Sequence, residues 1–328
     1  MSLTINHQTN DIINSTGAIT VNGTAVGGDN SPVWYGSRGV FSGGESASGV
    51  RQPIDYITIS TTGNAANFGN LAGATNLAAG LSNGTRGVIG GGVVSSSNTN
   101  VMQYITVATT GNTTDFGDLT EYRAYLAALS NDTRGVFAGG RASSGTNVMD
   151  YITIANTGNA TDFGDLLNQP ELLTGAGGST RGIFAGGYDW GVADDAVNTI
   201  QYITIANTGN ATDFGDLLAA QYGMGGLSNE TRCVFSGGHA SGNVNVIQYI
   251  TTDTTGNATD FGDLTSARTR SSGAANGTRG VFGGGNTSHL SASHVDIIEY
   301  ITIASTGNAT DFGNLTEAKE NTAGLSGT

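Results

Sequence analysis

Arg38-Gly39-Val40-Phe41-Ser42-Gly43-Gly44 is the stretch on which the fold turns, because the chain writes a version of it six times. The other copies begin at Arg86, Arg134, Arg181, Arg232 and Arg279, at spacings of 48, 48, 47, 51 and 47 residues. A second motif follows each copy, first as Tyr56-Ile57-Thr58-Ile59 and then at Tyr104, Tyr151, Tyr202, Tyr249 and Tyr300. A third follows that, clearest as Thr157-Gly158-Asn159-Ala160-Thr161-Asp162-Phe163-Gly164-Asp165-Leu166. Repetition at a fixed period marks a protein built from stacked supersecondary units. A period of roughly forty to fifty residues without a helical pattern points to propeller blades.

Each unit reads as four short strands. In the third, an alanine-rich strand from Tyr125 to Asn131 turns at Asp132-Thr133. A second strand, Arg134 to Ala138, ends in Gly139-Gly140, and a variable loop follows. The third strand, Val148 to Ala155, alternates Met149, Tyr151 and Thr153 with Asp150, Ile152 and Ile154, and Asp162 to Leu166 makes a short fourth. Short strands bounded by Gly, Asn and Ser turns predict an all-β chain. The small residues of the first strand suit the crowded centre of a ring. The glycine doublet suits a bend or a close backbone approach.

Composition narrows the function. Glycine supplies 53 of 328 residues but keeps no three-residue period, which excludes collagen. Twelve cations face 26 anions, for a net charge of −14, and Lys319 is the sole lysine. A nucleic-acid surface needs clustered Lys and Arg, so nucleic acid is not an expected partner. Cys233 stands alone, which removes an intrachain disulfide and a Cys-based zinc cage. No apolar run is long enough to cross a bilayer as a helix, and the opening Met1-Ser2-Leu3-Thr4-Ile5-Asn6 lacks the features of a secretory leader. No membrane insertion, cofactor or metal is expected.

The order of these motifs resembles a kelch-type β-propeller over residues 34–328. Phe68, Phe116, Phe163, Phe214, Phe261 and Phe312 stand where kelch repeats carry tryptophan. The resemblance implies a six-bladed propeller. Ala323-Gly324-Leu325-Ser326-Gly327-Thr328 copies the start of an inner strand, so it is expected to enter the first blade and close the ring. Residues 1–33 break the repeat. They hold alternating runs at Leu3–Asn6, Asp11–Asn14 and Ala18–Val21, with a hairpin signal at Asn22-Gly23. This segment is expected to serve as an attachment anchor, and segments of this kind commonly intertwine as oligomers. Its wording, and the Tyr-Ile-Thr-Ile and Asp-Phe-Gly-Asp-Leu repeats, are similar to virion and tail-fibre proteins of marine bacteriophages. That likeness implies a location in the virion, docking of residues 1–33 on other virion proteins, and contact with host-surface glycan or receptor, without catalysis. A bacterial kelch-type scaffold and a glycan-active propeller enzyme are the alternatives. The second finds no Ser-x-Asp-x-Gly-x-Thr-Trp box here.

Comparing the six units with one another locates candidate contact residues. The first and third turns of each unit are nearly uniform, whereas the second turn and the connection between units vary. Both variable elements are expected on one face, where loops held by a rigid scaffold bind. The alternative is drift without function. The fourth unit has one of the two longest such loops, with Tyr188, Asp189, Trp190, Asp194 and Asp195. An aromatic ring beside carboxylates suits sugar stacking and hydroxyl recognition; Trp190 could equally fold over its own loop. The aspartates there match no calcium-loop spacing. His239, His289, His294, Arg51 and Arg141 complete the candidates. The six repeated arginines, Arg38, Arg86, Arg134, Arg181, Arg232 and Arg279, read as structural, tied to the recurring carboxylates of the Asp-Phe-Gly-Asp motif. Sixfold repetition argues against a catalytic role for them.

Overall fold

The computed structural model describes residues 36–190, 195–288 and 291–327, together with the backbone of residues 4–6, 11–13, 20–21 and 24–25. Two compact units divide the chain, Met1–Pro32 and Val33–Thr328. In the first, Thr4–Asn6 pairs antiparallel with Asp11–Ile13, and Thr20–Val21 with Thr24–Ala25. The remaining calls on residues 1–33 lie outside the described residues.

The second unit is all-β, with no helix among its described residues. Its strands form four-stranded antiparallel sheets in a propeller-like arrangement. In the third sheet the order is Ala127–Ser130, Arg134–Ala138, Val148–Thr153, Thr161–Asp165, and the other sheets repeat it. Each sheet begins with the strand of small residues and ends with the Asp-Phe-Gly strand. In the first sheet the strand of small residues comes from the far end of the chain: Ala323–Gly327 pairs antiparallel with Arg38–Ser42.

Apolar packing between sheets supplies the core. Phe137 and Ile152 of the third sheet share a cluster with Leu81, Met102 and Phe116 of the second. Phe41 and Ile57 of the first likewise pack with Val281, Ile298 and Phe312 of the sixth. Each fully buried phenylalanine contributes about 2–3 kcal/mol by removing its ring from water. The third strand is sandwiched, so its alternation is muted: Met149, Asp150 and Ile152 are all buried.

The third motif explains itself through the neighbouring sheet. Gly158 and Ala160 donate their backbone N–H groups to the carbonyls of Phe116 and Asp118, while Asn159 Oδ1 accepts from the Asp118 amide. The third turn of one sheet therefore caps the outer strand of the sheet before it. The same three bonds join Gly63, Asn64 and Ala65 of the first sheet to Phe312 and Asn314 of the sixth. Here the glycine of Asp-Phe-Gly is obligatory, since a Cβ on Gly117 would lie 2.4 Å from the carbonyl oxygen of Gly158. The doublet glycines are required for a different reason. Gly139 and Gly140 sit at φ of 62° and 95°, where a side chain is strained, and both are wedged against backbone carbonyls.

A buried polar layer runs between sheets. Asp55, Gln103, Asp150, Gln201, Gln248 and Glu299 occupy equivalent positions, and each accepts the first amide of the preceding connection, as Leu218 N does to Gln248 Oε1 at 2.8 Å. Where this residue is an acid, the connection carries a cation to match. Arg123 meets Asp150 at 2.7 Å, Arg268 meets Glu299 at 2.6 Å, and Lys319 meets Asp55 at 3.1 Å, all essentially without solvent exposure. Where it is glutamine, the matching positions are Thr75, Pro170 and Gln221. Burial pulls the Arg123 and Arg268 guanidiniums below their ordinary value, and the facing carboxylates pull them back up.

Two predictions follow from these contacts. Removing residues 316–328 strips Arg38–Ser42 of its partner strand and Asp55 of its cation. The melting temperature is expected to fall by more than about 10 °C, measured by calorimetry, and an unchanged value would refute the pairing. Arg123→Gln leaves Asp150 buried and unpaired, an expected loss of about 3–5 kcal/mol in denaturant unfolding. Arg123→Gln with Asp150→Gln copies the Gln221–Gln248 arrangement and should recover most of it.

Candidate functional site

The connections between sheets build the floor of the variable face. Leu77, Tyr125, Leu172, Gly223, Arg270 and Asn321 occupy one equivalent position in six connections, all with φ between 55° and 68°. Their backbones bond to one another in sequence. Tyr125 N donates to Leu77 O, Leu172 N to Tyr125 O, Gly223 N to Leu172 O, Arg270 N to Gly223 O, Asn321 N to Arg270 O, and Leu77 N to Asn321 O, at 2.6–3.2 Å. The six bonds return to their starting residue. Left-handed backbone is costly for five non-glycine residues, and the mutual hydrogen bonds hold them there. The strand predicted to start at Tyr125 therefore begins only at Ala127, with Tyr125 in this cycle instead.

The variable loops are pinned to the same connections. Pro170–Glu171 pairs with Tyr188–Asp189, which pairs with Asp195–Ala196. Isolated bridges join Ala124 to Arg141, Tyr222 to His239 and Glu45 to Glu320. Loop side chains are thus carried on backbone that is itself fixed.

Across three sheets these side chains meet in an arc. The Arg141 guanidinium lies 4.8 Å from the centre of the Tyr125 ring and 5.7 Å from that of Trp190. Trp190 meets Tyr188 edge-on at 5.3 Å, Tyr188 meets Tyr222 at 5.8 Å, and Tyr222 meets His239 at 5.2 Å. Trp190 stays 43% exposed. It also crosses to the neighbouring loop, where a Cβ on Gly145 would lie 3.0 Å from its own. Arg141 Nε lies 3.4 Å from the Glu171 carboxylate. Burial raises the Glu171 carboxyl above its ordinary value, while Arg141, the indole and Arg270 hold it down. Burial likewise raises the Tyr222 phenol.

Tyr188, Trp190, His239 and Arg141 are therefore brought together, with Tyr125, Tyr222 and Glu171, which sequence reasoning passed over. The signal was available for Glu171 and Tyr222, which lie in the connections whose variation was noted, whereas Tyr125 was read as the start of an inner strand. Other candidates stand apart. Asp189 is 2% exposed and accepts the Gln169 amide at 3.2 Å, so it braces the loop from beneath rather than facing a ligand. Asp195 is exposed and binds the Ala196 amide. Arg51 pairs with Glu317 at 2.7 Å. His239 Nδ1 lies 3.0 Å from Asn243 Oδ1, and His294 Nε2 lies 3.6 Å from Glu320 Oε1. Asp194 and His289 lie outside the described residues. Among the described residues no group of His, Cys, Asp and Glu is placed to hold a metal ion.

The repeated arginines need a correction of partner. None of the six forms an ion pair with a carboxylate among the described residues. Each instead lies over the tyrosine of its own sheet, with the guanidinium 4.2–4.8 Å from the ring centre. Each also donates to carbonyls at the end of the third strand in the next sheet: Arg134 to Ile205 and Ala206, and Arg279 to Ile59. The tyrosines in turn meet the outer phenylalanines edge-on, at 5.8–6.2 Å. Backbone carbonyls and an aromatic face lie within reach of the guanidinium, whereas the first aspartate of each Asp-Phe-Gly-Asp strand is exposed and the second half-buried, neither pairing with it among the described residues.

Cys233 is fully buried beside Thr252, and burial pushes its thiol up to about 12. It is therefore no nucleophile near neutrality. Native protein at pH 8 is expected to leave a thiol reagent such as dithionitrobenzoate unreacted, with one thiol released on unfolding in guanidinium; rapid native labelling would contradict this. No protein-family model matches the chain, and no curated protein matches it.

Proposed function

We propose that the chain is a closed, six-bladed, kelch-type propeller serving as a non-catalytic virion protein of a bacteriophage, of tail-fibre, head-fibre or decoration type. Residues 1–33 attach it to other virion proteins. The variable face of the propeller contacts a glycan or receptor on the host surface. The closed form is supported by the cycle of six amide bonds and by the return of Ala323–Gly327 to Arg38–Ser42.

One observation carries the functional reading. The arc of Tyr125, Arg141, Trp190, Tyr188, Tyr222 and His239 is assembled only from the segments in which the repeats differ. Aromatic faces bounded by hydrogen-bonding groups suit sugar rings, whose C–H faces stack and whose hydroxyls take polar partners. The opposite, repeated features are spent on joining sheets.

The test is binding of the fluorescently labelled full chain to bacterial cells and to an array of bacterial surface polysaccharides. Trp190→Ala is expected to weaken binding at least tenfold while leaving the melting temperature within about 2 °C, since the ring is half in solvent. Binding that ignores this substitution, or no binding to any cell or polysaccharide, would overturn the reading.

A further inference from the structure

Lys319 is the sole lysine of the chain, and it is not at the surface. Its side chain is 1% exposed, and it faces the fully buried Asp55 with Nζ 3.1 Å from Oδ2. The matching cations elsewhere in the buried polar layer are arginines, Arg123 against Asp150 and Arg268 against Glu299. A guanidinium does not give up its proton in a protein and is no nucleophile. A primary amine becomes a nucleophile once it has lost a proton. The lysine therefore brings reactivity to a place where its counterparts bring only charge.

The place also differs from its counterparts. In the other sheets the inner strand turns directly into the second strand, as Ala127–Ser130 does into Arg134–Ala138. In the first sheet no peptide turn joins the two, because Ala323–Gly327 arrives from the far end of the chain to pair with Arg38–Ser42. Lys319 lies in the connection that leads into Ala323–Gly327. Asp55 lies on Pro53–Thr58, the strand on the other side of Arg38–Ser42. A covalent bond between these two side chains would fasten the last strand to the first sheet.

The carboxyl group is held in a way that suits such a bond. Thr316 Oγ1 donates to Asp55 Oδ1 at 2.6 Å, and the Thr316 amide donates to Oδ2 at 3.3 Å. Donors fixed on both oxygens draw charge from Cγ and stabilise the oxyanion of a tetrahedral intermediate. Oδ2 is one bond from Cγ, so the amine already lies beside the carbon it would attack. Thr120 holds Asp150 in the same manner, but there the cation is Arg123. An amide carries no charge, so condensation removes the cost of keeping two ions out of water, and burial keeps bulk water from reversing it. We infer that Lys319 and Asp55 condense to an isopeptide bond that seals the two ends of the propeller chain together. One proton passes from Nζ to Oδ2, leaving an amine and a carboxylic acid. Nζ attacks Cγ to form the C–N bond. The Cγ–Oδ2 bond then breaks, and Oδ2 leaves as water, carrying that proton and a second one from Nζ. No oxidant, reductant or co-reactant takes part. The bond is independent of host recognition by the aromatic arc.

Intact-mass spectrometry of the full chain, purified in its native state and then unfolded, tests it. The unaltered chain is expected to weigh one water less than its sequence. Trypsin does not cut at an acylated lysine, so digestion should yield residues 52–86 joined to residues 280–328 as one branched peptide. Lys319→Arg, which copies the cation of the Arg123 and Arg268 pairs, is expected at its full sequence mass and without the branched peptide. An unaltered chain at full sequence mass, complete tryptic cleavage after Lys319, or loss of water without the branched peptide would overturn the inference. The last outcome separates this bond from dehydration of an aspartate within its own backbone. Because mass and digest are read on the unaltered chain, a variant that fails to fold does not remove the test.

Discussion

Backbone hydrogen bonding between sheets, rather than within them, is the constraint on which the structure rests. Two sets of these bonds recur from one sheet to the next. One lies at the outer strands, where each Gly-Asn-Ala turn caps the strand before it. The other joins Leu77, Asn321, Arg270, Gly223, Leu172 and Tyr125 in a cycle that returns to its start. Sheets pack through apolar side chains, which are forgiving of small slips. Hydrogen bonds are directional, and they set where each sheet stops against the next. The glycines at Gly69, Gly117 and their equivalents follow from this, for the turn carbonyl occupies the space of a side chain.

The two ends of each sheet are used differently. At one end every arginine is committed twice, to a tyrosine face in its own sheet and to carbonyls in the next. That arrangement leaves little chemistry for a partner. At the other, loops and connections differ in each unit but are anchored to the amide cycle through bridges such as Tyr222–His239. A stiff floor under unlike side chains lowers the entropy that a bound ligand must otherwise remove. The division between joining and presenting leaves the aromatic arc on backbone that is itself fixed.

Much of this was legible in the sequence. Repeat period, strand order and the bend at each glycine doublet came from residue pattern alone, as did the contrast between uniform and variable turns. The arginines show where such reading failed. Charge suggested carboxylate partners, because acids are plentiful in the neighbouring motif. A carbonyl cluster and a ring face cannot be seen as acceptors until the chain is folded. Asp189 fails similarly: beside Trp190 it reads as a contact group, yet it turns inward to the Gln169 amide. The buried acid or glutamine before each tyrosine was overlooked, although its pairing with Arg123, Arg268 and Lys319 varies in step between units.

Sequence by itself determined the all-β character, the repeating unit and the small, glycine-rich inner strands. Local periodicity and turn chemistry act over a few residues and need no knowledge of the rest. Tertiary structure alone decided which side chains meet. Arg141, Trp190, Tyr188, Tyr222 and His239 lie on loops and connections of successive units, so their contact depends on how neighbouring sheets are spaced and turned. That spacing is fixed by hydrogen bonds between residues about one repeat apart, a distance over which no local pattern carries information.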